Sequence, residues 1–169
     1  MSEISHIIVS IDEQQLYCID HQNNVICDYP VSTSIYGIGS QNGSYKTPLG
    51  EHSIAQKTGS GCAINEVFVG RQPLGRLEQL IADGKPLPED IITGRILWLQ
   101  GQEPGLNQGD NIDSYKRYIY IHGTPEEDKI GSAASHGCVR MRNKDIVELF
   151  DLVDEGCKVI IQEKNYERF

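Results

Sequence analysis

The sequence predicts one mainly β domain with a few helices. Short runs rich in Ile, Val, Tyr and Cys, separated by polar turn clusters, occupy both ends of the chain. Apolar residues at helical spacing are confined to two stretches. A chain of 169 residues fits a single domain, 1–169, large enough to bury a core without staples, and no repeat or composition shift divides it.

His6 to Ile11, Gln15 to Asp20 and Asn24 to Ser32 read as strands, with Asp12-Glu13 and His21 to Asn24 as turns, so the first third is an antiparallel meander. Residues 37–50 hold Gly37, Gly39, Gly43, Pro48 and Gly50 and read as a loop entering a strand near Glu51 to Ala55. Leu74, Leu77, Leu80 and Ile81 have helical spacing, and Gly84 is placed to end that helix. Arg95 to Gln100 is a strand candidate and Gly101 to Ser114 a loop. In Tyr118 to His122, alternation puts Ile119 and Ile121 on one face and Tyr118, Tyr120 and His122 on the other. Ile146, Val147, Leu149, Phe150 and Val153 mark a helix over Lys144 to Glu155, with Asn143 as its cap and Gly156 past its end. Lys158 to Gln162 is a final strand.

Fifteen basic against 24 acidic residues leave a net charge of −9. Nucleic acid and anionic membranes both need a basic footprint, so neither is expected as a partner. The N-terminus has no basic region followed by an apolar one, so the expected location is the cytoplasm, or the periplasm if a leader has been removed. Five cysteines at irregular spacing make a poor disulfide framework. Cys18-x2-His21-x5-Cys27 fits no common zinc spacing. No metal and no cofactor are expected.

Chemistry concentrates in Ser135-His136-Gly137-Cys138-Val139-Arg140-Met141. A polar, Gly-containing turn presents a thiol, its successive N–H groups can form an anion-binding nest, and nearby donors and cations favour a thiolate. Cys138 therefore has the setting of a nucleophile with an oxyanion hole in its own turn. His136 is two residues away; His122 ends a strand before Gly123. Spacing alone leaves the base open between them.

These residues resemble a known signature. His122-Gly123-Thr124, Gly131-Ser132 and Ser135 to Met141 look like the motif of the L,D-transpeptidase catalytic domain family of the YkuD type. Pro30 to Ser34 and Lys46 to His52 resemble two further segments of it. The likeness runs over residues 4–57 and 95–163. It implies a β-sandwich or barrel-like catalytic domain, with Cys138 as nucleophile and His122 as general base. The base's imidazole would be held by a backbone carbonyl, and Ser135 with the amides of His136, Gly137 and Cys138 would complete the site. Arg140, Gly123 and Tyr120 fall on the substrate side, where Arg140 would hold the loop or face a substrate carboxylate.

The resemblance implies acyl transfer on peptidoglycan stem peptides: a thioester forms on the thiol and D-alanine leaves. Hydrolysis in muropeptide recycling is the first reading, cross-linking transpeptidation the second, and a non-catalytic stem-peptide binding module the third. Residues 58–116 match no motif and are expected to be an insertion that caps the site. Oligomeric state is not legible in the sequence.

Overall fold

A computed structural model describes residues 3–167. The reading of the N-terminus rests partly on Met1 and Ser2, which lie outside the described residues. Among the described residues, ten strands form a curled mixed sheet, accompanied by two α-helices. The meander is β1 (Ile4–Ser10), β2 (Gln15–Asp20) and β3 (Val25–Pro30). It is followed by β4 (Gly50–Thr58), β5 (Glu66–Val69), β6 (Gln72–Arg76), α1 (Leu77–Ala82) and β7 (Ile92–Gly101). The chain closes with β8 (Tyr120–Gly123), β9 (Val139–Met141), α2 (Asn143–Leu152) and β10 (Lys158–Gln162). Among the described residues, no helix is long and apolar enough to cross a membrane.

The sheet order is β3-β2-β1-β10-β4-β7-β5-β6, with β8 joining β7 to β9. The chain's first and last strands pair in parallel, Ile7 against Val159. On its other edge β7 carries β5 and β8, and its pairing with β8 is interrupted between Thr93 and Ile96, at left-handed Gly94 (φ 80°). β8 and β9 run parallel, His122 beside Arg140. The main core gathers Ile7, Leu16, Leu97, Ile121, Val139 and Met141 with Ile146, Leu149 and Phe150 of α2. A second cluster (Phe68, Ile96, Trp98 and Tyr120) packs against Cys138.

The expected alternation holds where it matters: Ile119 and Ile121 enter the main core and Tyr120 the second cluster. The strand itself starts later than predicted, because Tyr118 has a left-handed φ of 57°. Helix α1 starts at Leu77, since Leu74 lies in β6, and Gly84 closes it through its N–H on the Ile81 carbonyl at 3.1 Å. Helix α2 ends at Leu152, short of Glu155. Asn143 is not its side-chain cap. Instead its Oδ1 accepts from Thr93 Oγ1 at 2.6 Å, and the Glu127 carboxylate takes the Asn143 N–H at 2.7 Å. A cap supplied from 16 residues upstream has no local signal.

Segment 58–116 contains β5, β6, α1 and β7. Strand β7 reads easily because it is buried over most of its length. Strand β6 was missed: it is largely exposed, and Gly75 and Pro73 interrupt it.

Candidate active site

The Ser135–Cys138 turn is held from three sides. The segment after β3 runs beside it: Ser32 and Arg140 exchange backbone hydrogen bonds of 2.9 and 2.8 Å, and the Thr33 carbonyl accepts from Ala134 and Ser135. From the Gly-rich loop, buried Thr47 donates its hydroxyl to the Gly137 carbonyl at 2.9 Å and accepts the Ser34 N–H at 3.0 Å. Inside the turn, Ser135 Oγ donates to the Cys138 carbonyl at 2.6 Å and accepts from the Gly137 N–H at 3.2 Å. Ser135 thus shapes the turn through its hydroxyl. The Gly137 N–H is aimed at that hydroxyl, which leaves the His136 and Cys138 amides as the turn's candidate oxyanion donors. Gly137 takes a φ of 125°, a region that side chains disfavour.

Cys138 Sγ accepts from the Tyr120 N–H at 3.3 Å and donates to the Tyr118 carbonyl at 3.4 Å. Desolvation pushes the thiol up to about 12, against the Tyr120 N–H, which favours the thiolate. Asp90 adds to the upward push, and Arg140 and Arg117 oppose it. The resting group is therefore a thiol.

His122 is buried, and its Nδ1 lies 2.6 Å from the Gly123 carbonyl. A carbonyl only accepts, so Nδ1 carries the proton and Nε2 the lone pair. Nε2 is buried with no hydrogen-bond partner. Desolvation holds the imidazole below its ordinary pKa, outweighing the Gly123 carbonyl and Asp90. An unpartnered buried nitrogen is costly, and among the described residues it shares that state with Ser32 Oγ, Arg95 Nε and Arg140 Nε. Here it is a lone pair free to take a proton, and alternation along β8 puts His122 on the face of Tyr120, whose ring shares the second cluster with Cys138. Gly123 is required as glycine: an added Cβ would lie 2.5 Å from the Thr93 carbonyl and would also collide with Asn143 Oδ1.

Three sequence assignments change in detail. Tyr120 is not open to a substrate. Its hydroxyl accepts from Arg71 at 3.0 Å and its ring meets Trp98 edge-on, so its contribution to the site is its backbone N–H. Arg140 is 3% exposed and faces Asp90 Oδ1 at 2.6 Å and Glu126, which fits the loop-holding role, the first of the two that the resemblance implies, and leaves it off the substrate side. His136 is exposed, with Nδ1 3.5 Å from Asp90 Oδ2, and it stands at the rim.

Asp90 was missed. It comes from a short Pro-rich loop before β7 and carries no motif, so only the fold could place it. Burial raises its carboxyl, but the charges of His122, Arg140 and His136 outweigh that and hold it below the usual range. Arg117 was also missed; it donates to the Lys46 carbonyl at 2.8 Å and the Gly39 carbonyl at 3.3 Å. With Asn42, Tyr45, Ile119 and His136, these two residues line a cleft of about 380 Å³ that reaches Cys138. Of the other histidines, His52 is structural: its ring nitrogens face the Gly50 carbonyl at 3.0 Å and Ser114 Oγ at 2.9 Å.

This arrangement can be compared with known proteins. The profile of the YkuD family, described as the L,D-transpeptidase catalytic domain, matches residues 4–161. The chain belongs to that family. A putative L,D-transpeptidase, YkuD of Bacillus subtilis, is 48% identical over 86 residues, covering 48% of this chain and 50% of that protein. A probable L,D-transpeptidase, YcfS of Escherichia coli, is 28% identical over 156 residues, 92% of this chain and 43% of that one. The chain thus spans about half the length, or less, of these curated relatives. The fold is shared with solved structures. An L,D-transpeptidase fragment from Xylanimonas cellulosilytica has a TM-score of 0.59 at 16% identity, covering 96% of this chain and 62% of that one. The catalytic domain of the Enterococcus faecium L,D-transpeptidase has a TM-score of 0.54 at 17% identity, covering 95% and 98%.

Proposed function

We propose that this domain transfers the acyl group of a peptidoglycan stem peptide through a thioester on Cys138, with water as the acceptor. The observation that carries the chemistry is His122: Nδ1–H pinned on Gly123, Nε2 buried and unpartnered, on the same strand, β8, whose Tyr120 N–H meets the thiol. Family membership supports the substrate class.

The thiol rests protonated, so attack and deprotonation are coupled. His122 Nε2 takes the proton as Sγ bonds to the carbonyl carbon of the third stem residue. The oxyanion is received by the His136 and Cys138 amides. The proton then passes to the amine of D-alanine, the C–N bond breaks, and a thioester remains. Water, deprotonated by the same Nε2, attacks it; a tripeptide leaves and the thiol is restored. Water is favoured over a second peptide because Asp90, from the 58–116 segment, takes up part of the cleft wall beside Cys138 and leaves less room for an acceptor chain. On soluble muropeptide fragments, this activity would trim tetrapeptide stems to tripeptides.

The test is incubation with a tetrapeptide stem, with and without an amine acceptor, followed by mass spectrometry. D-alanine and tripeptide are expected as the main products, and Cys138→Ala is expected to form neither. Cross-linked dimers as the main product would overturn hydrolysis in favour of transpeptidation. Turnover by Cys138→Ala would overturn the nucleophile.

A further inference from the structure

Beside the cleft stand three aromatic rings that the reaction above does not use. Tyr36, Tyr45 and His136 have ring centroids 6.0 to 6.1 Å apart, and their planes are mutually inclined, so they form a shallow cup. Tyr36 is 54% and Tyr45 60% exposed. Large aromatic rings held this open, side by side, at the mouth of a reactive cleft indicate a ligand surface.

The cup is built in advance. Ser34, buried, serves both tyrosines with one hydroxyl: Ser34 Oγ accepts the Tyr36 N–H at 3.0 Å and donates to the Tyr45 carbonyl. The Ser34 N–H in turn is held by Thr47, the residue that grips the catalytic turn. Tyr45 also adopts a left-handed φ of 59°, which strains any residue with a side chain. Strain of this kind persists where the surroundings over-determine it and clusters at ligand clamps. The loop beside the cup, Gly39 to Ser44, offers the side chains of Ser40, Gln41, Asn42 and Ser44. All four are neutral hydrogen-bonding groups, and Asn42 and Tyr45 line the Cys138 cleft itself.

Apolar ring faces bordered by uncharged amides and hydroxyls are complementary to a pyranose ring, which has C–H faces and a rim of hydroxyl and acetamido groups. We propose that Tyr36, Tyr45 and His136 form a saccharide-binding platform, so that the preferred donor carries its stem peptide on an amino-sugar. This rests on the function proposed above for its peptide portion only. A simple cation is the other ligand for an aromatic cup. The neutral loop favours the sugar, since the nearest carboxylate, Asp90, is already shared by Arg140 and His136.

Two measurements test the platform. In the first, a β-1,4-linked N-acetylglucosamine disaccharide is titrated into the labelled protein. Amide resonances of residues 36–45 are expected to shift, and Tyr36→Ala to weaken that binding roughly tenfold, the scale of one aromatic contact. Tetramethylammonium is the control; shifts of residues 36–45 with it and none with the disaccharide would overturn the proposal. In the second, kcat/KM is compared for a disaccharide-linked and a free tetrapeptide. The linked substrate is expected to be preferred, and the ratio to fall towards one in Tyr36→Ala. Equal turnover of both substrates with no disaccharide-induced shift would sink the platform. Turnover of neither substrate, with the disaccharide still mapped to residues 36–45, would overturn the peptide acyl-transfer function and leave the platform standing.

Discussion

Asp90 Oδ1 lies 2.6 Å from Nη2 of the buried Arg140, and this pair ties segment 58–116 to the catalytic loop. Its other oxygen faces His136 at 3.5 Å, and its charge is felt by both His122 and Cys138. A residue with no recognisable motif thus contacts Arg140 and His136 and acts on His122 and Cys138 through its charge. Removing its charge while keeping its shape separates bracing from electrostatics. Asp90→Asn is expected to lower the thiol pKa, because Asp90 disfavours the thiolate. The rate of Cys138 alkylation against pH is expected to move to lower pH in Asp90→Asn, with its plateau unchanged. Asp90→Ala is expected to lose a further 10-fold or so in turnover, since it strands the buried Arg140.

The two histidines are expected to behave differently. His122→Ala removes the lone pair and is expected to cost about 10²–10⁴-fold in kcat/KM. His136→Ala is expected to cost far less, because its ring sits at the rim with a carboxylate for a partner. Steady-state kinetics on one stem peptide measures both.

The pH profile follows from the same geometry. The neutral imidazole is the active form, and burial places its pKa below 6.5. Activity is expected to be flat through neutrality and to fall only at acidic pH, once His122 is protonated. A kcat/KM profile falling below a pKa above 6.5 would contradict the neutral-base assignment.

Gly123→Ala is expected to damage fold and function together. The added methyl would press on the Thr93 carbonyl, which is backbone and cannot swing aside. Overpacking of this kind costs about 1–3 kcal/mol, and relief by moving β8 would displace the carbonyl that holds His122. Thermal melting and turnover, measured on one preparation, check this.

His52 is expected to set part of the acid sensitivity. Burial holds it down to about 4, against an ordinary value of 6.5. Between those values the unfolded chain binds a proton that the native state does not. Stability is therefore whole above pH 6.5 and is lost as pH falls towards 4, by about 3 kcal/mol in all. Denaturant melts of wild type and His52→Gln at pH 7 and pH 4.5 check it; the variant is expected to lose less on acidification.

The sequence by itself determined the local features. Alternation in Ile119 to His122 announced which side chains enter the core, and the apolar stripe of α2 announced its packed face, because burial imposes these periods directly. It also pointed to Cys138 as the candidate nucleophile, since Ser135 to Arg140 form a turn over a few adjacent residues, but its spacing left the base open between His122 and His136, and it is the buried, unpartnered Nε2 that favours His122. Only the tertiary structure decided which groups meet from afar. Asp90 and Arg117 reach the cleft, Thr47 grips Gly137 across 90 residues, and Glu127 caps α2 in place of Asn143. It also decided that Tyr120 serves through its backbone and that Arg140 is braced and buried. Such contacts depend on sheet register and loop paths, which are set by the whole core, and single residues at those positions carry no periodic signal for them.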